Sequence, residues 1–241
     1  MVPELPVSNV HRMALYYAPP PDSAFARAGS TWLGRCAYTG NVLRQPDLPD
    51  VTPQMLRACT SSPRRYGWHA TIRAPFHLAP GHHPEEVWHA VAALCRSWPA
   101  FALPPLRVRP LRSFLALRPR AGCPPLQGFA AAAVRALHGL AAAPDPHSAN
   151  ERWLSAENAR QRAYLHAWGY PYVFSEFRFH FTLTNRLDDA PAQCRAALVA
   201  AARRWFGGLP RLQFDRVALF VEPAPGADFR LWTYLPLGDA T

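Results

Sequence analysis

The chain contains no lysine; all 26 of its basic side chains are arginine. Acidic residues number 16, so the formal net charge is +10 although only 17% of residues are charged. One reading of the arginines is a compositional bias toward Ala, Arg and Pro. The other is a partner that carries phosphate, because the guanidinium fork suits phosphate oxygens in a bidentate manner. There is no basic tail or dense basic cluster. That argues against a polybasic membrane anchor and toward a small anionic ligand or nucleic acid. The five cysteines are scattered, odd in number and free of any C-x-x-C pair, which excludes a disulfide framework or a zinc cluster and suits reduced thiols. No apolar run is long enough to span a bilayer. The opening MVPELP lacks the basic and apolar regions of a signal peptide. A soluble, cytoplasmic protein is expected, with no membrane contact and no obligate protein partner. H-E-x-x-H, P-loop and G-x-G-x-x-G patterns are all missing, so neither a metal nor a nucleotide cofactor is expected.

What is present is a core and a pair of twins. With 241 residues, 49% of them hydrophobic, the chain can bury one large domain or two lobes sharing an interface. The segment Arg65-Tyr66-Gly67-Trp68-His69-Ala70-Thr71-Ile72-Arg73 has a counterpart in Arg178-Phe179-His180-Phe181-Thr182-Leu183-Thr184. Each reads as strand and each contains His-x-Thr followed by an apolar residue. Side chains alternate faces along a strand, so His69 and Thr71 share one face, as do His180 and Thr182. A single His-x-Thr means little. Two copies 111 residues apart point to chemistry, because each comes with a following helix (opened by Pro84 or Pro191, closed by Trp98 or Trp205) and a strand (near Leu117 or Phe220).

In chain order, Arg12 to Ala18 reads as a strand and Ala24 to Leu33 as a helix capped by Asp22 or Ser23. A short helix opens at Thr52-Pro53. The first twin, a helix over Pro84 to Trp98, a strand over Leu106 to Leu117 and a helix over Gln127 to Leu140 follow. Residues 141–150 read as a crossing between lobes, and Glu151 to Trp168 as a helix. The second twin precedes a helix over Pro191 to Phe206 and strands over Leu212 to Val221 and Phe229 to Leu235. Antiparallel strands interleaved with helices make the class α+β.

Two histidines meeting across a cleft can accept and donate a proton. Two threonine hydroxyls can bond the non-bridging oxygens of a phosphate. On regular strands Arg73 and Arg178 share the histidine faces and could bind phosphate. Tyr66 could cover a substrate. Tyr16 and Tyr17 occupy opposite faces of the first strand, so only one can reach the cleft; Tyr17 is assigned to the substrate side. Phe177, Phe179 and Phe181 face away from His180, toward the core. His77, near Pro75, reads as a turn residue, with a place flanking the cleft as the alternative, while His138 and His166 lie on helices without a partner at metal-ligand spacing.

The twin motifs resemble the two-histidine (2H) phosphoesterase superfamily. The longer segments RMALYYAPPPDSAFARAGSTWLGR, RRYGWHATIRAPFHLAP and PYVFSEFRFHFTLTNRL are similar to its phosphonate-metabolism-associated branch, a domain of unknown function. The resemblance spans nearly the whole chain. It implies a single domain of two pseudo-two-fold lobes, with two antiparallel sheets and helices on their outer faces around a central cleft. His69, Thr71, His180 and Thr182 are the implied catalytic four. The implied activity is that of a hydrolase, a metal-independent phosphodiesterase opening a cyclic phosphate or short phosphodiester in carbon–phosphorus lyase metabolism, with a small phosphorylated substrate or short RNA as partner. A non-catalytic RNA-binding module and a metal-dependent hydrolase are the competing expectations.

Overall fold

The computed structural model describes residues 1–143, 156 and 158–238. The first strand, β1 (Arg12–Tyr17), is buried from its second residue onward, as its unbroken apolar run requires of a strand covered on both faces. Met13, Leu15 and Tyr17 belong to the main core, whereas Ala14, Tyr16 and Ala18 belong to a smaller cluster with Phe220 and Phe229. Helix α1 (Ala24–Leu33) is capped by the Ser23 hydroxyl, which accepts from the Ala26 amide at 3.1 Å, and ends at Gly34 in the left-handed region. Helix α2 (Pro53–Cys59) starts under the Thr52 hydroxyl with proline in its first turn.

A short helix, α3 (Ser61–Tyr66), comes next, so Arg65 and Tyr66 are helical and the first motif strand begins only at β2 (Ala70–Phe76). Helix α4 (Pro84–Arg96) then leads to β3 (Phe101–Ala102), β4 (Leu106–Leu111) and β5 (Phe114–Pro119). The single strand expected over 106–117 is therefore a hairpin. Its turn rests on Arg112 at φ 53°, without the glycine or asparagine that usually marks such a turn. Helix α5 (Pro124–Ala136) precedes the undescribed stretch, within which residues 144–150 of the expected crossing fall. Helix α6 (Ala159–Trp168) is capped by Asn158 and closed by Gly169 at φ 72°. The second motif strand, β6, is only Phe181–Thr182. Helix α7 (Ala192–Phe206), β7 (Gln213–Phe214), β8 (Arg216–Glu222) and β9 (Arg230–Pro236) complete the fold.

Seven strands form one sheet in the order β4-β5-β6-β2-β1-β8-β9, and β3 pairs with β7 in a small second sheet. Every strand pairing is antiparallel. The α+β class holds, but the expectation of two sheets facing each other does not: both motif strands are neighbours in one sheet. Hairpin β4-β5, which follows the first motif, pairs with the second motif strand through Leu117 and Phe181. The strand near Phe220, which follows the second motif, pairs with β1 beside the first. Each half of the repeat thus completes the sheet beside the other half's motif. Residues of α1, α4, α5 and α7 join the Met13, Leu15 and Tyr17 face in the main core, and the Tyr16 face, packed in the smaller cluster, borders the cleft.

Candidate active site

His69 stands immediately before β2 and is held by its neighbours. Trp68 is buried and stacks on Phe206 at 5.4 Å with an interplanar angle of 7°. Gly29 passes so close to that indole that a Cβ there would lie 1.9 Å from it, so only glycine fits. Gly67 adopts φ 78°, and its carbonyl oxygen lies 2.9 Å from His69 Nδ1. With Nδ1 donating to that carbonyl, Nε2 is the free nitrogen of the ring, and Thr71 Oγ1 lies 3.3 Å from it. The Tyr16 ring stacks on the imidazole at 3.7 Å and 23°.

His180 repeats this arrangement. Its Nδ1 lies 2.6 Å from the carbonyl oxygen of Arg178, again the residue two positions back. Phe179 and Phe181 are buried in the main core, as is Phe177, so strand alternation turns His180 and Thr182 to the opposite face. Phe114 tilts over the His180 ring at 5.6 Å. The two motifs meet because Ala70 and Phe181 are direct partners in the β2–β6 pair. Carrying that antiparallel register one residue either way sets His69 across from Thr182 and Thr71 across from His180. Each histidine therefore faces the other motif's threonine.

These four residues line one cavity of about 610 Å³, together with Tyr66 and Arg178. Burial lowers the pKa of His69 to about 4, against the opposing pull of the Gly67 carbonyl, and His180 lowers it further. Burial likewise lowers His180; the Arg178 carbonyl opposes this and the Arg118 charge adds to it. Both rings are thus neutral near pH 7, ready to accept a proton. Four arginines line the cavity, Arg12, Arg112, Arg178 and Arg186, against the single carboxylate of Glu176 among the described lining residues. Arg178 is exposed and donates to the carbonyls of Ser175 and Phe177 at 2.7 and 2.8 Å. Arg12 is held by Glu222, a fully buried carboxylate that also pairs with Arg65. Burial pushes the Glu222 pKa up, but Arg12 and then Arg65 outweigh it and the net shift is downward.

Two expected site residues lie elsewhere. Tyr17 is 2% exposed, sits in the main core and donates its hydroxyl to the Gln213 carbonyl at 2.9 Å. Tyr16, on the other face of β1, is the tyrosine in the cleft. Arg73 is buried and bonds the Trp168 carbonyl at 3.3 Å. The register of β2 against β1 slips by one residue between Thr71 and Arg73, and such a bulge breaks the alternation that would have kept Arg73 beside Thr71. Arg73 lines an adjoining cavity of about 400 Å³ instead, in company with His77, His138 and His166. Sequence reasoning missed Arg12, Tyr16, Arg112 and Phe114 in the cleft. For Tyr16 a signal existed, since it alternates with core residues. Arg12 and Arg112 depend on distant pairings that leave no local mark. Among the described residues, no group of three His, Cys, Asp or Glu side chains is placed to hold a metal ion, and no helix is long and apolar enough to cross a membrane.

Comparison with known proteins adds three findings. A curated protein of Janthinobacterium sp. (strain Marseille), ribose 1,5-bisphosphate phosphokinase PhnN, is 36% identical over 231 residues, covering 95% of this chain and 51% of that protein. The protein of the same name from Laribacter hongkongensis (strain HLHK9) is 40% identical over 220 residues, covering 91% and 50%. The chain thus spans about half the length of these curated relatives. Their name overturns the expected function, a metal-independent phosphodiesterase opening a cyclic phosphate, and with it the alternative of an RNA-binding module, since both relatives are named as phosphokinases of a ribose bisphosphate. Among solved structures, E. coli LigT complexed with NADP+ matches with a TM-score of 0.45 and 14% identity, covering 96% of this chain and all of that one. LigT complexed with phosphate matches at 0.43 and 12%, with the same coverage. The model of the family described as protein of unknown function (DUF1045) matches residues 71–230, which include Thr71, His180 and Thr182 and begin two residues after His69. The motif resemblance to a domain of unknown function agrees with that match, and the chain belongs to the DUF1045 family.

Proposed function

We propose that this chain is an enzyme acting on a phosphate ester of ribose, with the twin-histidine cleft as its reaction site. The observation that carries the reading is the matched pair of imidazoles. Each has Nδ1 on a carbonyl two residues back and lines the same arginine-rich cavity. Chemistry at a phosphoester needs a group to take the proton of the attacking oxygen, one to supply a proton to the departing oxygen, and donors for the charge on the remaining oxygens. His69 and His180 serve the first two needs, and Thr71, Thr182 and the arginines the third. An anionic phosphate entering the cleft favours the protonated form of a neighbouring imidazole. The substrate itself thereby prepares one ring as the acid while the other remains a base. Tyr66, stacked on Phe229 at 5.1 Å at the cleft wall, offers a flat surface to the sugar. The ribose identity is taken from the name of the relatives, and the finer class turns on the acceptor. With water the enzyme is a two-histidine hydrolase; with a nucleotide as phosphoryl donor it does what that name says.

The test is to incubate the chain with ribose 1,5-bisphosphate and with ribose mono- and diphosphate esters, with and without ATP, and to follow the products by phosphorus NMR. Turnover of at least one ribose phosphate is expected. His69→Asn and His180→Asn should each lower it by roughly a hundred- to ten-thousand-fold, the range for loss of an acid–base group. Undiminished turnover in either variant, or no turnover of any ribose phosphate, would overturn the proposal.

A further inference from the structure

The hairpin β4-β5 carries a group of arginines that the chemistry above does not use. Arg107 and Arg118 are direct partners across it, and Arg109 stands opposite Ala116. Like charges placed opposite each other destabilise a strand pair, so this arrangement works against the sheet that carries it. No acidic neighbour in the chain offsets it, since the sequence has no Asp or Glu between Glu86 and Asp145. Among the described residues, none of Arg107, Arg109 and Arg118 takes part in a salt bridge. The Arg107 and Arg118 guanidiniums reach the carbonyls of Leu106 and Pro110 at 3.4 Å, beyond the usual range of such a bond.

The group lies on the cleft side of the sheet. Val108, Leu115 and Leu117 are buried in the main core, so strand alternation turns Arg107, Arg109, Ala116 and Arg118 to the other face. Leu111 and Phe114 share that face and line the reaction cavity. Ala116 pairs with Thr182 and Leu117 with Phe181, and the same register carried one residue on sets Arg118 across from His180. The Arg118 charge is felt there, where it adds to the effect of burial on the His180 pKa. Two rows therefore cross the sheet, His180 to Arg118 to Arg107 and Thr182 to Ala116 to Arg109. Over two strand spacings each row runs roughly 10 Å from the motif to β4. There, at the edge of the sheet, Arg107 and Arg109 are exposed.

We infer that these arginines are a binding track for a linear condensed phosphate, tripolyphosphate or a longer chain, with one end in the cleft at His180 and Thr182 and the rest across Arg118, Arg107 and Arg109. The inference rests on the proposed function for the end in the cleft and adds a ligand class to it. Guanidinium forks in succession suit a chain that presents non-bridging oxygens along its whole length. Beyond Phe114 the face of the hairpin carries no aromatic ring on which a base could stack, which disfavours a nucleic acid. Between the arginines it offers Ala116 and no large apolar anchor for a partner's side chain, which disfavours an acidic protein segment.

Inorganic tripolyphosphate is the probe, titrated into the full chain by calorimetry beside inorganic phosphate. Tripolyphosphate should bind about tenfold more tightly or better, a few-fold for each exposed arginine it meets, and added salt should shrink that advantage. Arg107→Gln/Arg109→Gln/Arg118→Gln should abolish the advantage. A control variant, Arg96→Gln/Arg203→Gln/Arg204→Gln, removes the same charge from exposed positions on α4 and α7 and should keep it. Equal affinity for the two probes, or equal weakening by the control variant, would overturn the track and leave the proposed function to its own turnover test. Tighter binding of a poly-glutamate peptide than of tripolyphosphate, lost in the hairpin variant, would overturn it in favour of a protein partner. The double variant His69→Asn/His180→Asn should weaken both probes. Hairpin-dependent tripolyphosphate binding that survives it undiminished would support the arginines as a phosphate site and remove the twin histidines from it.

Discussion

The two motifs are twins in sequence and unequal in structure. His69 precedes a strand of seven residues that has β1 on one side and β6 on the other. It is stacked on Tyr16 and follows the buried Trp68, and the Arg12–Glu222–Arg65 cluster reaches the same cleft through Arg12. His180 precedes a strand of two residues, with a tilted Phe114 nearby and an exposed arginine supplying its carbonyl partner. What is equal in both is the bond from Nδ1 to the carbonyl two residues back. That small, local device is all a ring needs to aim Nε2, and the scaffolds around it are free to differ.

The largest expected effect tests whether the first motif depends on its brace. Glu222→Gln leaves Arg12 and Arg65, whose side chains are 21% and 26% exposed, facing a neutral amide. Removing the charge from the buried acceptor they share costs about 3 kcal/mol, readable as a lowered midpoint in chemical denaturation. Phosphate affinity in the cleft should fall as well, because Arg12 loses its anchor. An unchanged midpoint would mean that the cluster is not a brace.

A second experiment exploits the depressed pKa of His69. The unfolded chain takes up a proton near 6.5 and the folded one only near 4, so between these values the unfolded state binds more protons. Stability is full above about pH 6.5 and is lost as pH falls toward 4, by about 2 kcal/mol at pH 5 relative to neutral pH. His69→Asn should remove that part of the acid sensitivity. Equal acid sensitivity in both proteins would show that His69 is not the buried base the structure describes.

The smallest effect concerns the exposed side of the second motif. Arg178→Gln should raise KM a few-fold with kcat nearly unchanged. Its guanidinium reaches the cleft from solvent, where charge is worth little, and the carbonyl that orients His180 belongs to the backbone and survives the substitution. A large fall in kcat would place Arg178 at the reacting phosphate and make the second motif as dependent on its surroundings as the first.

Much of the framework is legible from local chemistry. Ser23 and Thr52 cap the helices expected of them, Pro84 opens its helix, and Phe177, Phe179 and Phe181 go to the core while His180 turns away. Where reading fails, the cause is a feature without a local signal. The turn at Arg112 uses a residue that seldom adopts positive φ. The bulge in β2 appears only in its register with β1. The choice between Tyr16 and Tyr17 depends on which face of β1 the helices cover, and a strand buried on both faces does not declare that.

What the amino-acid order determines by itself is therefore the pair of His-x-Thr motifs, the face each pair shares, and the class of structure able to hold them. These follow from the two-residue period of strands and from short-range caps and turns. Only the tertiary structure decides that the hairpin after one motif lies beside the strand of the other, that Glu222 collects Arg12 and Arg65, and that Arg73 leaves the histidine cleft for a second cavity. Those arrangements join residues far apart in the chain, and burial and pairing select them once the whole sheet is assembled.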